Sequence, residues 1–107
     1  MILELEYRKA KIGDLKAIIY LLSDDFLGEE REYFSQELDS QYVDAFNMID
    51  SDPNQFLMVV LTKNIVIATC HLTIIPSLTY HGSARLQIEA VRVLKKYHRE
   101  GIGVAIP

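Results

Sequence analysis

The sequence predicts one domain of the mixed α/β (α+β) class with a largely antiparallel sheet and the element order β-α-α-β-β-β-(α). Three observations predict it. The first half has two segments with apolar residues at helical spacing, the second half has three β-rich segments, and a glycine-rich stretch follows them. At 107 residues the chain can bury a single hydrophobic core, so we treat residues 1–107 as one domain.

The first elements are a strand and an amphipathic helix. Residues 2–8 alternate weakly between apolar and polar and suit a strand. One helix face over residues 12–22 is marked by Leu15, Ile18, Ile19 and Leu22. The start of this helix lacks an ordinary cap, because the Lys11 side chain, three residues before Asp14, cannot accept a hydrogen bond. Gly28 and the acidic stretch after it are predicted to form a loop.

A second helix and a hairpin follow. The helix is predicted over residues 40–50, with Asp39 or Ser40 as its cap and Pro53 stopping it. The hairpin has strands at residues 56–61 and 65–75 and a turn at residues 62–64. Alternation on the return strand predicts one apolar face made of Val66, Ala68, Cys70, Leu72 and Ile74.

The fourth strand is predicted over residues 83–93. Alternation assigns to one face Ala84, Leu86, Ile88 and Ala90. It assigns to the other face Arg85, Gln87, Glu89, Val91 and Val93. Residues 101–106 then predict a glycine turn that opens an apolar helix.

Composition argues against several classes of protein. No apolar run approaches the roughly 20 residues that span a bilayer. The first residues have no basic region typical of a signal peptide, and the single cysteine, Cys70, fits a reducing compartment. The three histidines lack metal-ligand spacing, and no basic-aromatic pattern indicates nucleic-acid binding. We therefore expect a cytoplasmic protein without a metal, a membrane or a nucleic acid as partner.

Charge is segregated along the chain although the net charge is only −4. Residues 23–52 contain ten acidic residues and one basic residue, whereas residues 85–99 contain five basic residues and one acidic residue. Such an arrangement places a cationic substrate near an anionic cofactor, or simply forms two solvated faces. Both interpretations remain open.

The glycine turn is a candidate anion site. Gly101 and Gly103 allow close approach to backbone N–H groups at a helix start, and Lys95, Lys96 and Arg99 add positive charge beside it. On its own the pattern is weak, because a plain helix start has the same residues.

Residues Gln87 to Val93 followed by Tyr97 to Gly103 resemble the GNAT superfamily of N-acetyltransferases. Further similarity to this superfamily lies at residues 7–10, 52–54 and 65–69. The resemblance implies the N-terminal half of the GNAT (acyl-CoA N-acyltransferase) fold, in which acetyl-CoA lies where the fourth strand splays from the fifth. It implies direct transfer of an acetyl group to a primary amine of an unidentified acceptor. Further elements follow in that family, so we expect a truncated domain that ends after the start of its third helix.

The same resemblance implies the site residues. The pantetheine of acetyl-CoA would bond to the backbone of Val91, Arg92 and Val93. The pyrophosphate would meet the turn formed by His98, Arg99, Glu100, Gly101, Ile102, Gly103 and Val104. Glu89 is the candidate catalytic base, since many GNAT enzymes have a glutamate in strand four; the alternative is a surface ion pair with Arg85 or Arg92.

Other chemically active side chains receive simpler assignments. Cys70 and His71 are adjacent in a strand and face opposite sides, so they are not a catalytic pair, and Cys70 is expected in the core. His71 and His81 are expected at the surface or in loops. Three aromatic residues near the acidic stretch line an acceptor pocket or serve packing alone: Tyr33, Phe34 and Tyr42.

Two interpretations of the whole chain remain open. One is an acetyltransferase that binds acetyl-CoA and an amine. The other is a catalytically inactive truncated remnant that folds as a homo-oligomer by pairing or exchanging its exposed sheet edge, because an unpaired edge strand favours association.

Overall fold

Four antiparallel strands in the order β1-β2-β3-β4 form the sheet of the computed structural model, which describes residues 4–23 and 38–100. The strands are β1 (Glu6–Lys9), β2 (Gln55–Thr62), β3 (Ile65–Pro76) and β4 (Ala84–Val93). Each strand pairs with the next along the chain. The predicted fold class and the antiparallel sheet are confirmed.

The helices also follow the prediction closely. A 3-10 turn (Ile12–Asp14) leads into α1 (Leu15–Ser23), and α2 spans Ser40–Ser51. A short segment that we label α3 (Thr79–Gly82) precedes β4; it is a turn and not a regular helix, because Tyr80 and His81 have left-handed φ values of 53° and 61°. A 3-10 segment (Lys95–Glu100) follows β4. The loop predicted at Gly28 and the glycine turn beginning at Gly101 lie outside the described residues. Within the described part of the chain, no helix is both long and apolar enough to cross a membrane.

Asp14 supplies the cap at the start of α1 that the Lys11 side chain cannot provide. Its Oδ2 atom accepts a hydrogen bond from the backbone N–H of Lys11 at 2.7 Å, so Lys11 acts through its backbone. The same carboxylate binds the Arg8 guanidinium with both oxygens, at 2.7 and 3.1 Å. These bonds, the one from Arg8 foremost, hold the pKa of Asp14 below its ordinary value. One carboxylate thereby ties β1 to the start of α1.

Local signals set the ends of α2 and the hairpin turn. Asp39 caps α2 by accepting a hydrogen bond from the N–H of Gln41 at 2.9 Å. Lys63 and Asn64 connect β2 to β3 with φ values of 51° and 66°. Positive φ at both central residues is typical of the two-residue turn whose twist matches that of paired strands.

An extra residue in β3 corrects the predicted apolar face of that strand. Val60 pairs with Ala68, but Leu61 pairs with Val66. Ile67 is therefore an extra residue in β3, a β-bulge. Val66 consequently packs against the core beneath the helices, whereas Ala68 and Cys70 face the other side. The prediction that Val66 shares a face with Cys70 is wrong, because alternation resets at the extra residue.

The sheet separates two apolar clusters. The helix-side core consists of Ala10, Leu15, Ile18, Ile19, Phe46, Val59 and Leu61. The opposite-face core consists of Met58, Val60, Ile67, Ala68 and Cys70. Cys70 is fully buried, which confirms it as a core residue, and burial raises the pKa of its thiol.

The opposite face of the sheet also has an exposed part near the hairpin between β3 and β4. Register pairs Phe56 with Leu72, Leu72 with Ile88, and Ile74 with Leu86. Four of these side chains are substantially exposed, and we call them the apolar patch: Phe56, Ile74, Leu86 and Ile88. The patch continues the opposite-face core to the surface.

We expect Asp14→Asn to lower the free energy of unfolding by about 1.5–3 kcal/mol, the range for hydrogen bonds to charged groups. The pKa of Asp14 is lowered in the folded state. Its contribution is therefore complete above the unfolded pKa of about 3.9 and is lost as the pH falls through the folded pKa. Urea unfolding at pH 7 and at several acidic pH values measures both effects.

The matched control is Glu6→Gln, since Glu6 lies 3.7 Å from the Arg8 Nε atom but is 60% exposed. This change is expected to leave stability unaltered, because exposed ion pairs contribute little. Equal stability of Asp14→Asn and the parent chain at pH 7 would show that the Arg8–Asp14 link is not structural.

Candidate active site

An extra residue in β4 shapes the centre of the candidate site. His71 pairs with Glu89, but Thr69 pairs with Arg92, so Cys70 alone lies opposite both Ala90 and Val91. Ala90 has a φ of 54°, the left-handed conformation that occurs in one type of β-bulge, where glycine usually occupies the position. The alternation of β4 side chains between the two faces of the sheet therefore shifts by one residue at this point.

This reversal corrects the predicted faces of β4. Glu89 and Arg92 are three residues apart, so strict alternation would place them on opposite faces. Both nevertheless pair with residues of β3 whose side chains lie on the helix side. Val93 pairs with Ala68 and packs against the opposite-face core, and Ala90 lines a cavity on the helix side. The predictions that Val93 lies on the face of Glu89, and that Ala90 lies on the face of Ile88, are wrong. Strict alternation fails because β4 contains one extra residue opposite Cys70.

A row of polar side chains crosses the helix-side face of the sheet, and we call it the polar row: Asp52, Gln55, His71 and Glu89. The Gln55 Nε2 atom lies 2.9 Å from the Asp52 Oδ2 atom, and the Gln55 Oε1 atom lies 2.8 Å from the His71 Nε2 atom. The His71 Nδ1 atom faces the Glu89 Oε1 atom at 3.9 Å. Glu89 also accepts a hydrogen bond from the Gln87 side chain at 3.2 Å.

His71 occupies a different environment from the one predicted. It lies within β3, and its side chain is only 17% exposed, because β2 and β4 flank it. The expectation of a surface or loop histidine is therefore wrong for His71, whereas His81 is exposed in α3. No local sequence pattern indicates the polar row, because His71 and Glu89 become neighbours only through the register of β3 and β4.

Asp52 begins the polar row at the end of α2. Its Oδ1 atom accepts a hydrogen bond from the N–H of Asn54 at 2.9 Å, and this turn leads directly into β2. Hydrogen bonds from the Gln55 side chain first and the Asn54 backbone second hold the pKa of Asp52 below its ordinary value. Asp52 is therefore a carboxylate that only accepts hydrogen bonds.

Glu89 is half-exposed, with 49% of its side chain accessible. Its contacts in the structure are with His71 and Gln87, not the ion pair with Arg85 or Arg92 considered as an alternative. The carboxylate is thus accessible to a bound molecule on one side and held against the sheet on the other.

A cavity of about 150 Å³ lies between α1, α2 and the sheet, next to the polar row. Its lining residues are mainly aliphatic and aromatic: Leu15, Ile18, Ile19, Leu22, Tyr42, Ala45, Phe46, Ile49, Leu57, Thr69, His71 and Ala90. The Thr69 hydroxyl donates a hydrogen bond to the Met58 carbonyl at 2.9 Å. His71 and Ala90 bring the cavity next to Glu89. Of the aromatic residues predicted nearby, Tyr42 lines the cavity, and Tyr33 and Phe34 lie outside the described residues.

The segment after β4 is fastened to the sheet. The N–H of Leu94 donates to the Ile67 carbonyl at 2.9 Å, and the N–H of Tyr97 donates to the Leu94 carbonyl at 2.9 Å. Leu94 and Tyr97 pack against the opposite-face core. Lys95 and Lys96 are exposed, and the Lys96 Nζ atom lies 5.1 Å from the centre of the Tyr97 ring.

The predicted cofactor residues fall partly on this segment. Val91, Arg92 and Val93 end β4, which has no further strand beside it in the described part of the sheet. The backbone of His98, Arg99 and Glu100 belongs to the 3-10 segment. Outside the described residues lie Gly101, Ile102, Gly103 and Val104. Among the described residues, no group of three or more His, Cys, Asp or Glu side chains is arranged to hold a metal ion.

The sequence profile of the acetyltransferase (GNAT) family matches residues 15–106. The chain belongs to the GNAT family. Membership supports an acyltransferase activity in general, and GNAT proteins use acetyl-CoA. The resemblance noted in the sequence is thereby confirmed. A search among curated proteins found no match.

Solved structures agree with the GNAT assignment. The chain is similar to a transcriptional regulator from Bacillus halodurans C-125, with 36% identity and a TM-score of 0.85 over 96% of this chain and 69% of that one. A glucosamine-6-phosphate N-acetyltransferase from Arabidopsis thaliana is 20% identical, with a TM-score of 0.77 over 96% and 69%. A predicted acetyltransferase with acetyl-CoA from Clostridium acetobutylicum is 17% identical, with a TM-score of 0.68 over 96% and 68%. At these lower identities, the last two show a shared fold only.

We expect Ala90→Val to be less stable than Ala90→Gly by about 1–3 kcal/mol, because a β-branched residue is strained at positive φ and glycine is not. Thermal or urea unfolding of both variants measures the difference. Ala84→Val is the control for added volume, since Ala84 lies in the same strand, is exposed and is not among the positive-φ residues. Equal stability of the two Ala90 variants would contradict the left-handed conformation of β4 at this position.

Proposed function

We propose that the chain is an N-acetyltransferase that binds acetyl-CoA beside β4 and transfers its acetyl group directly to a primary amine. The observation that carries the proposal is the position of Glu89. The Glu89 carboxylate lies on β4, one residue before the extra residue and next to a cavity on the helix side. The chain that carries it belongs to the GNAT family. Proximity of a proton acceptor to a bound amine is what the reaction requires.

The end of β4 supports this proposed position of acetyl-CoA. Val91, Arg92 and Val93 end β4, the strand to which the family resemblance assigns the pantetheine contacts. The exposed Lys95 and Lys96 follow and precede in sequence the turn proposed for the pyrophosphate, so they would supply positive charge for a phosphate group. When bound, acetyl-CoA supplies an activated acetyl group; the chain supplies backbone contacts, positive charge and a proton acceptor.

The cavity supports an acceptor that carries an apolar group beside its amine. Its walls come from the apolar faces of α1 and α2, and its volume of about 150 Å³ is the size in which an apolar protein cavity holds a benzene ring. His71 and Ala90 line the cavity near Glu89, so the amine of such an acceptor lies at the polar end. The acidic stretch that suggested a cationic acceptor lies mostly outside the described residues.

In this proposal Glu89 acts as general base. The amine must lose a proton to form an amide, and the Glu89 carboxylate is accessible on the face that the cavity shares. The proposed setting is the cytoplasm, where acetyl-CoA is available, and no nucleic acid, membrane or metal takes part.

We expect Glu89→Gln to lower kcat for acetyl transfer by about 100-fold or more, because general-base catalysis contributes about 10²–10⁴-fold. Acetyl-CoA binding should be unchanged, since the amide keeps the size of the side chain. Calorimetric titration with acetyl-CoA measures binding, and a thiol-release assay with an arylalkyl primary amine as acceptor measures kcat.

The control is Glu6→Gln, the same chemical change on β1 at the far edge of the described sheet. It should leave both quantities unaltered. An unchanged kcat in Glu89→Gln would remove Glu89 as base. The absence of both binding heat and thermal stabilisation by acetyl-CoA would contradict the proposed co-substrate for this chain.

A second candidate function is a GNAT chain that does not catalyse and self-associates through its sheet as a homo-oligomer. The observation that favours it is the apolar patch on the exposed part of β3 and β4. Leu86 is 55% exposed and Ile88 is 44% exposed, on a strand that forms one edge of the described sheet. Edges of this kind pair with a second copy unless something covers them.

We expect this chain to sediment as a dimer or larger oligomer at micromolar concentration, and Leu86→Glu to shift it towards the monomer because a charge disrupts the apolar patch. Sedimentation velocity measures the shift. Met48→Glu is the control, since Met48 is 73% exposed but lies on α2, away from the patch. A well-folded, monodisperse monomer at that concentration would refute self-association.

A further inference from the structure

The polar row fixes where His71 carries its hydrogen. A carboxylate donates no hydrogen bond at neutral pH, so Asp52 orients the amide group of Gln55 with its NH₂ towards the carboxylate, 2.9 Å away. The amide oxygen of Gln55 must then face the ring of His71, at 2.8 Å from Nε2. Since an amide oxygen only accepts hydrogen bonds, the hydrogen lies on Nε2.

The other ring nitrogen of His71 is consequently an acceptor in the neutral imidazole. The Nδ1 atom carries a lone pair and faces the Glu89 Oε1 atom at 3.9 Å. Two acceptors at this separation make no hydrogen bond with each other, but a donor placed beside them can bond to both. The cavity adjoins this point, because His71 forms part of the cavity lining.

We propose that His71, held in the Nε2–H tautomer by Gln55 and Asp52, accepts together with Glu89 the proton that the acceptor amine releases; this rests on the proposed function. As the amine nitrogen bonds to the acetyl carbon and the carbon–sulfur bond breaks, one proton passes from nitrogen to the His71–Glu89 pair. The departing thiolate takes up one proton from solvent, and the His71–Glu89 pair returns the proton of the amine to solvent. Gln55 and Asp52 are positioning residues, since they act through His71.

Asp52→Asn tests the tautomer directly. The substituted amide would still accept from the N–H of Asn54 through its oxygen, but its NH₂ would replace the oxygen that faces Gln55. The Gln55 amide must then reverse and point its NH₂ at His71 Nε2, which moves the imidazole hydrogen to Nδ1. Long-range ¹H–¹⁵N NMR at a pH where imidazole is neutral distinguishes the two tautomers. The His71 signals are assigned by their loss in His71→Gln.

The expected result is the Nε2–H tautomer in the parent chain and the Nδ1–H tautomer in Asp52→Asn. In the transfer assay we expect Asp52→Asn to lower kcat at least about tenfold, a part of the general-base contribution, with little change in KM. Asp50→Asn is the charge-matched control, because Asp50 instead pairs with Lys9 at 3.3 Å. It should preserve both the tautomer and kcat.

The tautomer measurement and the transfer assay can each contradict a different part of the proposal. An Nδ1–H tautomer in the parent chain, or an unchanged tautomer in Asp52→Asn, overturns the positioning role of Gln55 and Asp52. A reversed tautomer with unchanged kcat overturns the part of His71 in accepting the proton. Absence of transfer by the parent chain contradicts the proposed function and the proton-accepting role with it, whereas the tautomer measurement still decides the positioning role.

Discussion

The extra residue in β4, opposite Cys70, is the constraint on which the candidate site depends. Glu89 and Val93 are four residues apart, so strict alternation would place both side chains on one face. The left-handed backbone at Ala90 breaks this rule, so that Glu89 joins the polar row while Val93 packs in the opposite-face core. One insertion thus allows a short strand to carry a functional side chain on one face and a core side chain on the other.

Burial on both faces of the sheet holds this irregular strand in register. Cys70 and its β2 partner Met58 are buried in the opposite-face core, while Val59 is buried beneath the helices. A slip of one residue would move the side chains of each cluster to the other face, where they do not match their neighbours. The Arg8–Asp14 link fixes α1 over the same sheet, and the end of α2 leads through Asp52 into β2. The cavity walls and the polar row therefore share one scaffold.

The sequence predicted the elements well and their faces less well. Helix spacing marked α1, and the residues before β3 marked a turn, because both signals are local. The insertions at Ile67 and Ala90 left no such signal, since neither position is a glycine and each strand still alternates on both sides of it. The assignment of His71 failed for a related reason. Its burial depends on the strands that flank it, and its partner Gln55 is 16 positions away in sequence.

His71 connects the two halves of the candidate site, because its ring has apolar edges and polar nitrogens. It helps to line the cavity formed by α1 and α2, while its nitrogens face Gln55 and Glu89. An acceptor whose apolar group fills the cavity would therefore contact the same ring that receives its proton. Binding energy from that apolar group would be used to place the amine at the polar row, which raises the rate through orientation as well as affinity. Selectivity for the acceptor and proton transfer would thus depend on the same side chain, and a change on either side of the ring would affect both.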